Sequence, residues 1–213
     1  MYKILKKAGE SMARFTQKLM TDALRSLMNE KSPDSVTVAD IVNRADINRK
    51  TFYYHFHGLS DLINYTFIED IKNEIPDIPP SPENWQMLFA ALLEYVQKNR
   101  KYLSAVYDSS YGPSFRMQLR RMFETYVTVF VRAAAAEYEE KHNVTLLLTG
   151  MQKNYIIKYY SMAFFGMVEQ WAENDSDTGK DEFIYMLSKL SSDNMYETFA
   201  EISKDPYIKK QEN

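Results

Sequence analysis

Phe115, Leu119, Met122, Phe123, Tyr126, Val127, Phe130, Ala134 and Tyr138 recur at a 3.6-residue period over about seven turns, the mark of one long amphipathic helix. A chain carrying such a stripe has to supply further apolar elements to cover it. The next segment does so: Tyr155, Ile156, Tyr159, Tyr160, Met162, Phe164, Phe165, Met167, Val168 and Trp171 wrap almost the whole cylinder of a helix read from Gln152 to Asn174. Such a helix must be covered on nearly every side. No strand-period run, internal repeat or low-complexity tract stands out, and six Gly in 213 residues disfavour turn-rich β folds and Gly-rich phosphate loops. The expected fold class is all-α, with about nine helices.

The remaining helices follow from caps and breakers. Thr16 is read as the N-cap of a first helix whose stripe is Leu19, Met20, Ala23, Leu24, Leu27 and Met28, ended by Lys31-Ser32-Pro33-Asp34. Thr37 with Asp40 three positions on is a near capping box for a short helix from Val38 to Ala45. Ala45-Asp46-Ile47 makes a tight break, and Asn48 caps a third helix through about Tyr54. A fourth spans Leu59 to Glu74, and the prolines at 76, 79, 80 and 82 then form the clearest boundary in the chain. Ser81 as cap with Pro82 at the first helical position opens a helix to about Asn99, followed by a shorter one from Arg100 to Asp108. Thr149 with Gln152 caps the apolar helix, and Thr178 with Asp181 marks a last one from about Lys180 to Ser203.

Charge is unevenly shared. Residues 1–58 hold ten Lys and Arg against six Asp and Glu, a net +4, while the rest of the chain carries −7. A small basic unit before a larger acidic one fits a polyanion-binding head, because each contacted phosphate releases condensed counterions. With no Cys, disulfide scaffolds, thiol catalysis and thiolate-ligated metals are excluded, and an intracellular protein is the default. The longest apolar-looking stretch, Tyr155 to Ala172, is broken by Lys158, Glu169 and Gln170, too polar for a bilayer span. The N-terminus has a basic start without the apolar core of a secretory signal. A cytoplasmic protein with no membrane partner is expected.

A helix, a tight turn and a second short helix form the helix-turn-helix arrangement, which sets its later helix in the major groove. Residues 48–54 span about 10 Å, which fits a groove roughly 12 Å wide. On a 100° wheel Phe52 and Phe56 point inward with Ile47, while Lys50, Tyr53 and Tyr54 point outward. One cation and two phenols at i, i+3 and i+4 suit phosphates and base edges. Arg49 and Thr51 flank them, and Arg can grip guanine through two hydrogen bonds.

The run TVADIVNRADINRKTFYYHFHGLSDLI resembles the DNA-binding head of TetR-family transcriptional regulators, with a match over residues 16 to about 72. Its most specific part is Thr51-Phe52-Tyr53-Tyr54-His55-Phe56, preceded by Thr37-Val38 and Ala45-x-Ile47-x-Arg49. The resemblance implies a three-helix head (residues 1–58), a connecting helix (59–75) and a C-terminal ligand-binding and dimerisation bundle (76–213). It places Thr16, Thr37, Arg49, Lys50, Thr51, Tyr53, Tyr54 and His55 at DNA. Lys50 stands where many members have Gly, adding a cation at the groove. Leu59 stands where many have a phosphate-binding Lys, removing one; Lys3, Lys6, Lys7 and Arg14 would compensate as a flexible arm. The Tyr53–Phe56 wording and the run Gly166–Trp171 are similar to a branch that includes regulators of dihydroxyacetone-kinase operons. The resemblance further implies a near-palindromic double-stranded operator, a homodimer formed through the last two helices, and a small-molecule effector or partner protein. A pocket for the effector is assigned to Phe123, Tyr126, Tyr160 and Phe164, where phenols and thioethers supply an apolar cavity with polar handles.

Competing readings are plain. A helix-turn-helix can keep its fold as a protein-interaction module without binding DNA, which Leu59 and the acidic body would favour. His55-x-His57 is a poor metal pair, since i and i+2 side chains diverge on a helix. Glu139-x-x-His142 occurs once, where a di-iron bundle needs it twice. No nucleophile, base and orienter stand at recognisable spacing, so no catalytic residue, metal or cofactor is expected.

Overall fold

A computed structural model describes residues 2–173 and 179–204, and of these the side chains outside 2–10, 192–193 and 203–204. Among the described residues there are nine α-helices and no strand: α1 (Tyr2–Glu30), α2 (Val38–Arg44), α3 (Arg49–His55), α4 (Leu59–Glu74), α5 (Trp85–Lys98), α6 (Arg100–Tyr107), α7 (Gly112–His142), α8 (Gly150–Glu173) and α9 (Lys180–Lys204). Thr178 and Asn174, named above as helix bounds, lie outside the described residues. The chain divides into two compact units, Met1–Asn73 with Asn99–Gln118, and Glu74–Lys98 with Leu119–Asn213.

In the first unit the local signals act as the residue chemistry dictates. The Thr37 backbone N–H donates to Asp40 Oδ2 at 2.8 Å and the Asp40 N–H donates to Thr37 Oγ1 at 3.2 Å, a reciprocal capping box that starts α2. Helix α2 ends in a Schellman turn: the Ile47 N–H reaches back to the Val42 carbonyl at 3.0 Å, with Asp46 between them at φ 50°. Gly is the usual residue there, and Asp is one of the few others that tolerate the left-handed region. Asn48 then caps α3, its Oδ1 accepting the Thr51 N–H at 2.8 Å.

Met20, Leu24, Ile41, Phe52, Leu62 and Ile63 are almost wholly removed from solvent and form the centre of this unit. Polar ties fix the edges. Arg44 grips both Glu30 oxygens at 2.8 and 2.9 Å, Arg25 pairs with Asp70, and Lys31 Nζ donates to Asp40 Oδ2 at 2.7 Å. Asp34 accepts the Ser110 N–H and hydroxyl at 3.0 and 2.6 Å, while Ser60 and Asn64 both donate to Ser114 Oγ. Gly112 opens α7 beneath the end of α6, where a Cβ would run into the Tyr107 carbonyl oxygen.

Two expectations are corrected. Thr16 is not an N-cap: α1 already begins at Tyr2, and the Thr16 hydroxyl donates to the Met12 carbonyl one turn back at 3.0 Å. A Thr can satisfy its hydroxyl inside a helix this way. The basic N-terminal residues therefore sit on a helix, not on a flexible arm. Similarly, Pro82–Asn84 form a turn and α5 starts at Trp85, with Asn84 Oδ1 accepting the Ser81 N–H at 2.9 Å.

The second unit is built on aromatic packing. Trp85 meets Phe130 and Phe164 edge-on at 6.4 and 5.9 Å, Phe164 meets Phe89 at 5.7 Å, and Phe183 stacks on Trp171 at 5.7 Å. Such pairs add about 0.5–1.5 kcal/mol each beyond the area they bury. Thr149 and Gln152 cap α8 reciprocally at 2.8 and 3.3 Å. Helix α8 buries Ile156, Tyr160, Phe165, Val168 and Trp171, yet Met151, Tyr155, Tyr159 and Met162 stand exposed along its other side. Tyr185, Met186 and Leu190 do the same on α9.

The Lys31 ammonium, followed by the Thr37 hydroxyl and N–H, holds the Asp40 carboxyl at a pKa of about 2, against an ordinary 3.8. Its contribution to stability is present above about pH 4 and is lost as pH falls toward 2. In Lys31→Ala the carboxyl carbon of Asp40, followed by NMR, is expected to titrate closer to 3.8. An unchanged midpoint would show that Lys31 does not hold it down.

Candidate nucleic-acid interface

Helix α3 has seven residues, too few to be stable alone, so its orientation is set by what it buries. Phe52 is 0% exposed and Phe56, its C-cap, 3%. With 100° between successive residues, that burial turns the other side outward: Tyr53 is 56% and Tyr54 82% exposed, and Asn48, Arg49 and Lys50 are exposed beside them. The Tyr53 ring stands edge-on to Phe52 at 5.3 Å, and the half-buried His55 lies edge-on to Tyr54 at 5.0 Å. The outward lysine and two phenols read from the sequence are brought together on one face.

The other DNA-assigned residues are placed differently. Thr51 is half-buried, and its hydroxyl donates to Asn48 Oδ1 at 3.1 Å. Thr37 is exposed, with both its N–H and its hydroxyl donating to Asp40. Thr16 lies mid-helix on α1 with its hydroxyl engaged on Met12, and Leu59 is half-buried at the start of α4.

Local electrostatics sharpen the face. Lys18 pairs with Asp22 at 2.6 Å, Arg25 with Asp22 and Asp70, Lys31 with Asp40, and Arg44 with Glu30. These cations are compensated within the head. Arg49 and Lys50 form no ion pair with any described residue. Their positive charge is therefore left over on α3, where a polyanion would meet it.

One supporting arrangement carries no sequence signal. The Tyr65 hydroxyl donates to Gln17 Oε1 at 3.2 Å, and the Tyr65 ring packs edge-on against Phe56 at 5.2 Å, tying α1 and α4 to the end of α3. Burial, followed by the Glu69 charge, raises the Tyr65 pKa, so the phenol remains a donor.

Of the residues assigned to an effector pocket, all in the second unit, Phe164 packs on Trp85 and Phe89, and the Tyr126 hydroxyl points to the Trp85 carbonyl at 3.5 Å. Phe123 packs instead against Phe165 at 5.7 Å, and Tyr160 against Tyr159. Burial raises the Tyr126 pKa and pushes Tyr160 up to about 12. Both phenols stay neutral donors at ordinary pH. Among the described residues no three His, Asp or Glu side chains converge as metal ligands.

Scaffold and presented residues should separate on mutation. Phe52→Ala is expected to cost about 3–5 kcal/mol in chemical denaturation, whereas Tyr54→Ala should stay within about 0.5 kcal/mol of the parent. Equal losses would mean that Tyr54 is part of the core.

A family model described as bacterial regulatory proteins of the tetR family matches residues 20–65, and one described as a transcriptional regulator C-terminal region matches residues 83–193. The HTH-type dhaKLM operon transcriptional activator DhaS of Lactococcus lactis subsp. lactis (strain IL1403) is 23% identical over 157 residues, covering 73% of this chain and 78% of its own. The class D tetracycline repressor protein of Escherichia coli is 25% identical over 122 residues, covering 53% of this chain and 56% of its own. A solved structure titled dihydroxyacetone kinase operon activator DhaS is similar in fold, with a TM-score of 0.52 at 20% identity over 82% of this chain and 93% of its own. The second family model alone spans more than half of the sequence, and with the head matched as well, the chain belongs to the TetR family of DNA-binding transcriptional regulators.

Proposed function

We propose that the protein works in the cytoplasm as a homodimer that places one α3 in each of two successive major grooves of a near-palindromic operator. In this reading residues 1–58 bind DNA, 59–75 connect, and 76–213 dimerise and hold an effector. The observation that carries it is the outward cluster of Lys50, Tyr53 and Tyr54 on a helix fixed by Phe52. Lys50 and Arg49 supply charge to phosphates or guanine edges; the phenols supply donors and flat apolar surface. Thr51 and His55 flank this face by helical register, while Thr37 caps α2, and a contact from Thr37 would share donors with its capping box. Thr16 is the most distant of the set in sequence and would reach DNA only from the side of α1.

Dimerisation through α8 and α9 is supported by the exposed stripe Met151, Tyr155, Tyr159 and Met162. Gly166 continues that stripe by helical register, with nothing within 4 Å of where a Cβ would stand. A helix Gly with no close neighbour in its own chain costs roughly 1 kcal/mol relative to Ala, and it permits close approach by another helix. Apolar faces of this kind on neighbouring helices mark an association surface.

The effector, a small molecule or a partner protein, is assigned to the aromatic body near Phe123, Tyr126, Tyr160 and Phe164. It acts by binding differently to states whose two heads have different spacings, and a coupling of roughly 1–3 kcal/mol is typical. The polypeptide has no catalytic role in this reading. Its relatives named above are regulators of transcription, and no residue constellation suggests chemistry.

Two measurements check these assignments. On a duplex selected from a random library, Lys50→Ala and Tyr53→Ala are expected to weaken binding at unchanged thermal stability. Lys50→Ala should also flatten the salt dependence by roughly one unit for each lysine contacting phosphate. Unaltered gel-shift affinity in both variants would favour the protein-interaction reading over operator binding. For the dimer, Met162→Glu and Gly166→Leu should shift sedimentation toward the monomer while the helical circular dichroism is kept; a dimer that persists in both removes α8 from the interface.

A further inference from the structure

The short turn at Pro33–Ser35, between α1 and α2, closes without the Asp34 carboxylate. The Ser35 N–H donates to the Ser32 carbonyl at 3.0 Å, the Val36 N–H to the Pro33 carbonyl at 3.1 Å, and the Ser32 and Ser35 hydroxyls meet at 2.9 Å. Asp34 Oδ1 instead accepts the N–H and the hydroxyl of Ser110, 76 positions along the chain. The corner between α6 and α7 shows the matching gap. There the Ser109 N–H donates to the Val106 carbonyl, the Tyr111 N–H to the Ser109 hydroxyl oxygen and the Gly112 N–H to the Ser109 carbonyl. Of these four residues only Ser110 sends its N–H outside the corner, to Asp34. Asp34 and Ser110 are both exposed, so water could have satisfied either. A tie made where burial does not demand one points to a holding role.

Both ends of the tie are firm. At the corner, Gly112 lies where a Cβ would meet the Tyr107 carbonyl oxygen, and the Arg116 guanidinium sits 3.9 Å from the centroid of the Tyr107 ring, which pins the first turns of α7 to α6. The carboxylate also stands just before α7, where a helix N-terminus favours negative charge. At the other end, Pro33 and Val36 are buried, and Asp34 is three residues from Thr37, the cap from which α2 starts. Arg44 with Glu30 and Lys31 with Asp40 already fasten α2 to the end of α1. All of these residues belong to the first compact unit. We propose that Asp34 is a positioning residue for operator binding, a tether by which the α6–α7 corner holds the α1–α2 turn and, through it, the placement of α2 and α3. This rests on operator binding by α3 in a homodimer. Such a dimer gains from its second α3 only when that helix reaches its groove in register. A slack turn therefore weakens two-site binding and leaves one-site binding nearly intact.

The test measures the affinity of full-length variants for two duplexes, the selected operator with both half-sites and the same duplex with one half-site scrambled. Asp34→Ala is expected to lose about fivefold or more on the two-site duplex and less than about twofold on the single site. Asp34→Asn makes the same charge change but keeps an acceptor oxygen, and should recover most of the two-site affinity. Ser110→Ala keeps only the backbone donor and should fall between the parent and Asp34→Ala. The double variant should bind no more weakly than Asp34→Ala alone, as expected for partners in one interaction. Parent-like two-site binding by Asp34→Ala overturns the inference. So do equal losses on the two duplexes, an Asn variant as weak as the Ala variant, or additive losses in the double variant. Should Asp34→Ala melt well below the parent, Ser110→Ala on the two duplexes decides by the same criteria. Lys50→Ala reports separately on α3 and should weaken binding to both duplexes. A retained Lys50 effect without an Asp34 effect sinks the tether alone, and loss of both sinks operator binding as well.

Discussion

Burial of Phe52 is the interaction on which the outward geometry of α3 depends. A seven-residue helix has no stability of its own, and about 2–3 kcal/mol from a fully buried Phe side chain is what commits α3 to one rotation about its axis. Phe56 adds a second anchor one turn on, where the backbone leaves the helix. With both rings inside, helical geometry leaves Lys50, Tyr53 and Tyr54 no choice but the outer side. The outward face is thus a by-product of packing: the residues offered to an external partner are those the core has rejected. The Schellman turn at Asp46 and the Asn48 cap serve the same end by shaping the turn through which α2 leads into α3.

Electrostatics complete what packing starts. Exposed ion pairs contribute about 0–1 kcal/mol each, so the pairs made by Lys18, Arg25, Lys31 and Arg44 matter less for stability than for bookkeeping of charge. They compensate those four cations, whereas Arg49 and Lys50 have no ion pair among the described residues. A head with the same composition but shuffled acids would present a weaker field at α3.

Much of the head was legible in the sequence because its signals are local. Thr37 with Asp40, Asn48 before α3, and Leu59–Glu74 as a helix all rest on residues a few positions apart, and the structure has them where the sequence puts them. Thr16 misled because a threonine hydroxyl serves equally as a cap or as a donor to the carbonyl one turn back, and nothing nearby chooses between them. Contacts such as Asp34 with Ser110, or Tyr65 with Gln17, join residues far apart in the chain and leave no periodic trace. The start of α5 lies at Trp85, and the Ser81 hydroxyl donates to Glu83 instead of accepting a helix N–H. In the body the α7 stripe predicts burial well, but a packed ring and a ring lining a cavity have the same spacing, so Phe123, Tyr126, Tyr160 and Phe164 could be named without knowing which share a neighbourhood. Exposure of Met151, Tyr155, Tyr159 and Met162 was likewise invisible, because an all-round apolar helix does not say which flank its own chain covers.

The corner between α6 and α7 has a consequence of another kind. Gly112 is the one glycine among those with described surroundings where a side chain would strike backbone, the Tyr107 carbonyl; Gly58, Gly150, Gly166 and Gly179 have open space. Backbone cannot swing aside as a flexible side chain can. Evolutionary drift in this protein is therefore barred at residue 112 for steric reasons alone, and a glycine retained there in sister lineages would be a signature of the corner's geometry and no guide to what those lineages bind.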